Sequence, residues 1–416
     1  MLTPREASAR ILEDIRALAP ESASTVECAG RVMAEDVTAS VTIPPWNNSS
    51  MDGFAVRRAD VETASRASPV VLPVVASIAA GQFAPRELRT GEAMRIMTGA
   101  PVPDGADSVI RIEDTDGGME TVSIRDARDA GRNIRLAGED FAAGESVAVK
   151  GAIVTPALIG VLLSAGVTSI SVHRRPKVAI ISSGDELVEV GEFSQVKAGK
   201  RIVSTNSYTL PALVREAGGE PVDLGIAADT PGALREKLER ATGCDLIITT
   251  AGISVGDADY TRDIFAALGG KLKFWKVKIR PGAPLAFGEL NGIPWLGLSG
   301  NPVSAVVTFE LFGRAIIRTM LGHTCLFRRP LPVIVEDEIA INADLTHFLR
   351  VVLSRDGDAV RAKLTRSQSS ASLSSLAAAN ALLVVPPESK RYPAGSTMSA
   401  LPLGDYPFEL TELVLR

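Results

Sequence analysis

Two short stretches pair small residues with carboxylates at a spacing that suits an anionic ligand. Ser182-Ser183-Gly184-Asp185-Glu186-Leu187 follows the apolar run VAII, and Thr249-Thr250-Ala251-Gly252-Ile253-Ser254-Val255-Gly256-Asp257-Ala258-Asp259-Tyr260 follows DLII. Small residues let backbone N–H groups approach an oxyanion, and such loops ahead of helices are ready phosphate sites. Carboxylates beside a phosphate repel it unless a cation lies between them, so the combination points to Mg²⁺. Glycines that turn the chain and acids that cap helices would explain either loop alone. Both at successive strand ends point to a ligand.

Three further stretches belong with these. In FWKVKIRPGAPLAFG, Lys276, Lys278 and Arg280 alternate, so on a strand they would project from one face; a solvated edge strand would read the same way. In LGLSGNPVSAVVTFELF, a turn at Gly300 precedes an apolar helix that Asn301 would cap and Pro302 would open. The stretch PPWNNSSMDGFAV, residues 44–56, has neither a 3.6-residue period nor a period of two and reads as a loop built of Trp, Asn, Ser and Asp-Gly. Generic physics therefore gives a site for a phosphate-bearing, nucleotide-like ligand with Mg²⁺ and leaves the reaction unnamed.

The elements that must position these residues change character along the chain. The first residues read as a helix: Thr3 caps it, Pro4 opens it, Glu6 completes a capping box, and Ala7, Ile11, Ile15 and Leu18 make one apolar stripe. Short strands follow, as in VVLPVVASIAA, AMRIMTGAPVP and SVIRIEDTDGG, separated by Gly, Pro and Asp turns. A helix returns after Thr155-Pro156 and stops at Gly166. From Pro176 strand and helix alternate, which is the pattern of a parallel sheet with helices on both faces, where ligands bind at the carboxyl ends of the strands. After Arg328-Arg329-Pro330 the chain becomes strand-rich again, enough for a small barrel.

Composition sets bounds. A chain of 416 residues, 46% hydrophobic and 22% charged, is globular and too long for one core. The net charge is −5 with no basic run among aromatics, which argues against nucleic acid. Three dispersed cysteines and three dispersed histidines signal neither a disulfide framework nor a zinc site. The N-terminus lacks the pattern of a signal peptide and no apolar run is long enough to span a membrane, so a soluble cytoplasmic protein is expected.

NNSSMDGFAV, MTGAPVP, AGEDFAAGE, ISSGDEL, TTAGISVGDADYT and SGNPVSAVVTFE occur in this order over nearly the whole chain. In this the sequence resembles the molybdopterin molybdenumtransferase family (MoeA in bacteria, the E domain of gephyrin in animals). The resemblance implies a multidomain α/β and β fold: an N-terminal helix-and-strand segment (1–50 plus 141–175) with an inserted small β domain (51–140). A central three-layer α/β domain with a mainly parallel sheet (176–326) and a C-terminal β-barrel (327–416) would follow. It implies Mg²⁺-dependent insertion of molybdate into adenylylated molybdopterin with release of AMP, in a homodimer whose active site is shared between subunits. The adenylyltransferase that supplies the substrate would be a further partner.

By matching motif position, Asp52, Asp140, Glu186 and Asp259 would be catalytic, and Glu186, Asp257 and Asp259 would hold the metal. Thr98, Ser183, Gly184, Asp185, Gly252, Ser254, Gly256, Lys276, Lys278, Arg280, Ser299, Gly300, Asn301 and Arg350 would bind substrate. The chain departs from the family where KPGKP becomes Arg280-Pro281-Gly282-Ala283-Pro284, where LPGNPVS becomes LSGNPVS, and where a QGSG-like turn becomes Ser369-Ser370-Ala371-Ser372. Tungstate insertion by a paralogue, a catalytically decayed dimeric scaffold, and a stand-alone molybdopterin adenylyltransferase are the alternatives; the added N- and C-terminal regions argue against the last.

Overall fold

The computed structural model describes residues 1–250, 265–341 and 344–404. Two compact units are present, Ser22–Val172 and the combination of Met1–Glu21 with His173–Arg416.

In the larger unit, strand Lys177–Ser183 lies inside a six-stranded sheet, flanked by Glu220–Ala227 and Leu246–Thr250; Ile293–Leu298, Ala286–Leu290 and Gly270–Trp275 complete it. The first four strands run parallel and the last two antiparallel. The unbroken apolar run of Lys177–Ser183 reflects burial of both faces. Val178 and Ile180 point into a core formed with Leu210 and Val214 of helix Asn206–Glu216 and with Val303, Phe309 and Ile316. Ala179 and Ile181 point the other way, toward Leu224, Leu238 and Trp295. Two helix ends follow the local sequence: Thr230 Oγ1 accepts from the Ala233 N–H before helix Pro231–Glu239, and Gly218, at φ 96°, stops Asn206–Glu216.

Helix Pro302–Thr308 continues through a π-helical turn, Phe309–Gly313, into Arg314–Met320. Helix Pro4–Leu12 has the capping box expected from Thr3 and Glu6 and packs Ala7 and Ile11 into the first core. It ends earlier than its apolar stripe, because after Leu12 the chain turns; Ile15 and Leu18 still reach the same core from non-helical backbone.

Strands Leu331–Val335, Thr346–Asp356, Ala359–Leu364, Ala381–Val385 and Thr397–Pro402 pair in a closed cycle. Alternate residues such as Val351, Leu353, Ala381 and Leu383 fill the barrel interior. Ile279–Arg280 adds in parallel to Thr346 and His347, tying the barrel to the central domain.

In the unit Ser22–Val172, strands Ser108–Arg111, Gly53–Val56, Ala93–Ile96, Val70–Ile78 and Thr121–Ile124 form one sheet in that order. Apolar residues lie on both of its faces, with Phe54 and Ile110 in one cluster and Ala55 and Val109 in the other. Helix Pro156–Ser164, capped by Thr155 and followed by Gly166 at φ 81°, covers a third cluster around Met33 and Val172. Among the described residues no helix is long and apolar enough to cross a membrane.

Candidate functional site

A cleft of about 2230 Å³ opens in the larger unit, at the carboxyl ends of the parallel strands and beside the barrel. That volume exceeds the roughly 300–1,000 Å³ of a typical small-ligand pocket, leaving room for a ligand of several parts. Four strand ends reach it: Ser183, Gly184 and Glu186 after the first, Asp229 and Thr230 after the second, Thr250 at the third, and Ser299, Gly300 and Asn301 after the fourth. Arg280 in the 280–284 connection and His347, Arg350, Gln368, Ser369 and Ser370 after it add further polar groups to the wall.

Hydroxyls hold the floor. Thr250 Oγ1 donates to Ser182 Oγ at 3.4 Å, Ser182 and Ser207 hydroxyls meet at 3.0 Å, and Ser207 and Ser204 at 2.7 Å. All four residues are buried, so the chain of hydroxyls satisfies groups that have no water. Ser183 Oγ donates to the Thr250 carbonyl at 3.2 Å. Asn206 is the first residue of helix Asn206–Glu216; its Nδ2 donates to the Gly300 carbonyl at 2.9 Å and fixes the fourth strand-end turn. Asn301 occupies the cap position of Pro302–Thr308 without a side-chain capping bond, and its N–H donates to Ser299 Oγ at 3.4 Å.

The first loop is shaped by Gly184, at φ 148°, where a Cβ would lie 2.8 Å from a Glu186 carboxylate oxygen. Glu186 is exposed, and its carboxylate makes no hydrogen bond among the described residues. Asp185 and Asp229 exchange bonds: the Asp229 N–H donates to Asp185 Oδ1 at 3.1 Å and the Asp185 N–H to Asp229 Oδ2 at 3.3 Å. Asp185 thus buttresses the loop and is absent from the cleft wall. Asp229 was not singled out from the sequence; its signal is a third strand end followed by a Thr-Pro helix start.

Arg350 is 1% exposed yet has no carboxylate partner among the described residues. Its Nη2 donates to the carbonyls of Ser367 and Ser369 at 3.1 and 3.0 Å, and its Nε to Ser375 Oγ at 3.3 Å. Burial lowers its pKa from the usual guanidinium value, though an arginine stays charged.

The expected single face of cations does not form. Strand Gly270–Trp275 ends before Lys276, whose φ of 71° breaks the alternation, and Ile279–Arg280 is a separate strand. Lys278 is held at its backbone by Leu2 and Thr346 and, like Lys276, is not part of the cleft wall; only Arg280 of the three is. Gly252, Ser254, Gly256, Asp257 and Asp259 lie outside the described residues.

The other unit carries Asp52, Thr98 and Asp140. Asp52 Oδ1 accepts both the N–H and the hydroxyl of Thr98, each at 2.7 Å. Asp140 is exposed in a turn whose backbone is bonded to Ile43, and its carboxylate has no hydrogen bond among the described residues.

Three family matches cover this architecture in order: the MoeA N-terminal region (domain I and II) over residues 2–166, the probable molybdopterin binding domain over 179–319, and the MoeA C-terminal region (domain IV) over 332–403. The chain is 36% identical over 394 residues to molybdopterin molybdenumtransferase 2 of Mycobacterium tuberculosis, spanning 93% of this chain and 96% of that one. The chain belongs to the molybdopterin molybdenumtransferase family. It is also 35% identical over 379 residues to the Bacillus subtilis molybdopterin molybdenumtransferase, covering 89% of this chain and 87% of that protein. The crystal structure of the molybdopterin biosynthesis moeA protein from Pyrococcus horikoshii OT3 superposes with a TM-score of 0.82 at 31% identity, over 96% of this chain and 100% of that one.

Proposed function

We propose that the protein inserts molybdate into adenylylated molybdopterin and releases AMP, with Mg²⁺ as its metal. The family acts in molybdenum cofactor biosynthesis. The observation that carries the finer reading is Arg350, a buried guanidinium without a carboxylate partner among the described residues, which lines the same cleft as the strand-end loops. A buried charge left unpaired is costly, and an oxyanion entering beside it recovers that cost. Arg350 and Arg280 suit molybdate and the terminal phosphate, while the small residues of Ser183-Gly184 and the 299–301 turn let the adenylyl phosphate approach the strand ends closely.

The residues present fit Mg²⁺: Glu186 offers unengaged hard oxygens, and Gly184 leaves the space that a Cβ would fill. Glu186, with Asp257 and Asp259, would hold the ion, which would polarise the phosphoanhydride and screen its charge. Glu186 also orients water toward the anhydride, whose P–O bond breaks as AMP leaves. Asp52, Thr98 and Asp140 would complete the site from the second subunit of a cytoplasmic homodimer. The test is AMP release from adenylylated molybdopterin with purified protein and Mg²⁺. Release that depends on molybdate and falls at least tenfold in Arg350→Gln supports the reading. Release with tungstate alone, or none with either oxyanion, sinks it.

A further inference from the structure

A second basic cluster lies outside the cleft. Arg314 and Arg318 sit one turn apart on helix Arg314–Met320, so they share a face. Arg314 Nη1 donates to the Leu326 carbonyl at 3.1 Å and Arg318 Nε to the Cys325 carbonyl at 2.9 Å, drawing both guanidiniums to the loop that follows the helix. Arg318 Nη2 lies 3.2 Å from His323 Nδ1. A guanidinium can only donate, so Nδ1 is the acceptor and the imidazole proton is on Nε2.

The nearby carboxylates are already engaged. Arg328 takes Glu310 at 2.8 Å and Glu216 at 3.2 Å, and neither Arg314 nor Arg318 forms an ion pair among the described residues. Stapling the loop uses one N–H of Arg314 and two of Arg318, and it neutralises neither charge. Burial, then Arg318 and Arg314, push the His323 pKa down to about 4, so the imidazole is neutral near pH 7 and still offers its Nε2–H. Burial, then Arg328 and Arg318, likewise lower Arg314, against the smaller opposing attraction of Glu310 and Glu216. Half-buried like charges with spare donors are what an anion would relieve. The helix C-terminus works against an anion with about half a negative charge, which two full positive charges outweigh.

We propose that Arg314, Arg318 and His323 form a second anion site, which takes a tetrahedral oxyanion of the phosphate, sulfate or molybdate type. It is independent of the reading of the cleft. The experiment follows the His323 ring by NMR, made simple by a total of three histidines, while inorganic phosphate, sulfate or molybdate is added at ionic strength matched with chloride. A saturable shift of His323 is expected, with its pKa rising from about 4 because the anion favours imidazolium. It should persist in Arg350→Gln and weaken at least tenfold in Arg314→Gln or Arg318→Gln. A preference for molybdate would make the site a holding point for the cargo ion, and a preference for phosphate a contact for phosphorylated metabolites; either supports it. A shift that chloride reproduces, or one that never saturates in the wild-type protein, overturns it whatever the variants do.

Discussion

Thr98 spends both of its donors on a single oxygen: its N–H and its hydroxyl each reach Asp52 Oδ1 at 2.7 Å. The backbone bond first and the hydroxyl second lower the Asp52 pKa from its ordinary value of 3.8. The other oxygen, Oδ2, accepts nothing among the described residues. Thr98 therefore turns Asp52 into an oriented acceptor that keeps its charge into acid.

Thr98→Ala should raise the Asp52 pKa part of the way back, since the backbone donor remains. A depressed carboxylate pKa contributes above the ordinary value and is lost as pH falls through the folded value. The wild type should thus hold the Asp52 charge to lower pH than the variant. A ¹³C titration of Asp52 in both proteins checks this; identical midpoints would mean the hydroxyl contributes nothing.

Gly184→Ala should act through Glu186. At φ 148° an L side chain is strained by about 1–3 kcal/mol, and the new Cβ would sit 2.8 Å from the Glu186 carboxylate. The carboxylate must move, so if Glu186 holds Mg²⁺ as proposed, the Mg²⁺ concentration that half-saturates AMP release should rise roughly tenfold or more. An unchanged Mg²⁺ dependence in a folded variant would remove Glu186 from the metal site.

Much of the fold was legible because strand and helix texture is local. Lys177–Ser183 had to be a strand buried on both faces, and Thr3, Thr155 and Thr230 open helices for the reason their sequence neighbours suggest. What failed was non-local. Nothing in WKVKIR announces that Lys276 will take φ 71° and divide the run, because that turn is set by the pairing of Gly270–Trp275 with Ala286–Leu290 and of Ile279–Arg280 with the barrel. Arg350 could be assigned to a motif, but only the packed barrel gives it 1% exposure and carbonyl partners from residues 367 and 369. Asp185 read as substrate-binding from its motif, and only the fold shows that its loop is also braced by Asp229, distant in sequence.

Gly282 and Thr308 make a pair whose energetics can be separated. A Cβ on Gly282, at φ 95°, would lie only 2.3 Å from Thr308 Cγ2. Gly282→Ala should destabilise the fold by about 2–4 kcal/mol from overpacking and backbone strain together. Thr308→Ser removes the methyl and keeps the hydroxyl bond to the Ser304 carbonyl at 2.7 Å. The double variant should recover the overpacking share, about 1–3 kcal/mol, and leave the strain. Urea unfolding of the four proteins gives the coupling, and strict additivity would count against the contact.

Asn206 offers the sharpest separation of position from chemistry. It lies beneath the fourth strand-end turn, and its Nδ2 donates to the Gly300 carbonyl at 2.9 Å. Asn206→Asp keeps the shape and turns the donor into an acceptor, leaving two oxygens facing each other in a site that is 6% exposed. The lost bond and the unsatisfied carbonyl should cost about 1–3 kcal/mol. Because the turn carries Ser299, Gly300 and Asn301 into the cleft, the proposed function expects the KM for the adenylylated substrate to rise several-fold and the molybdate dependence, which it assigns to Arg350, to change little. Steady-state kinetics in each substrate would show the split. A loss confined to the molybdate dependence would mean that the 299–301 turn serves the oxyanion and that the roles proposed for the turn and for Arg350 must be exchanged.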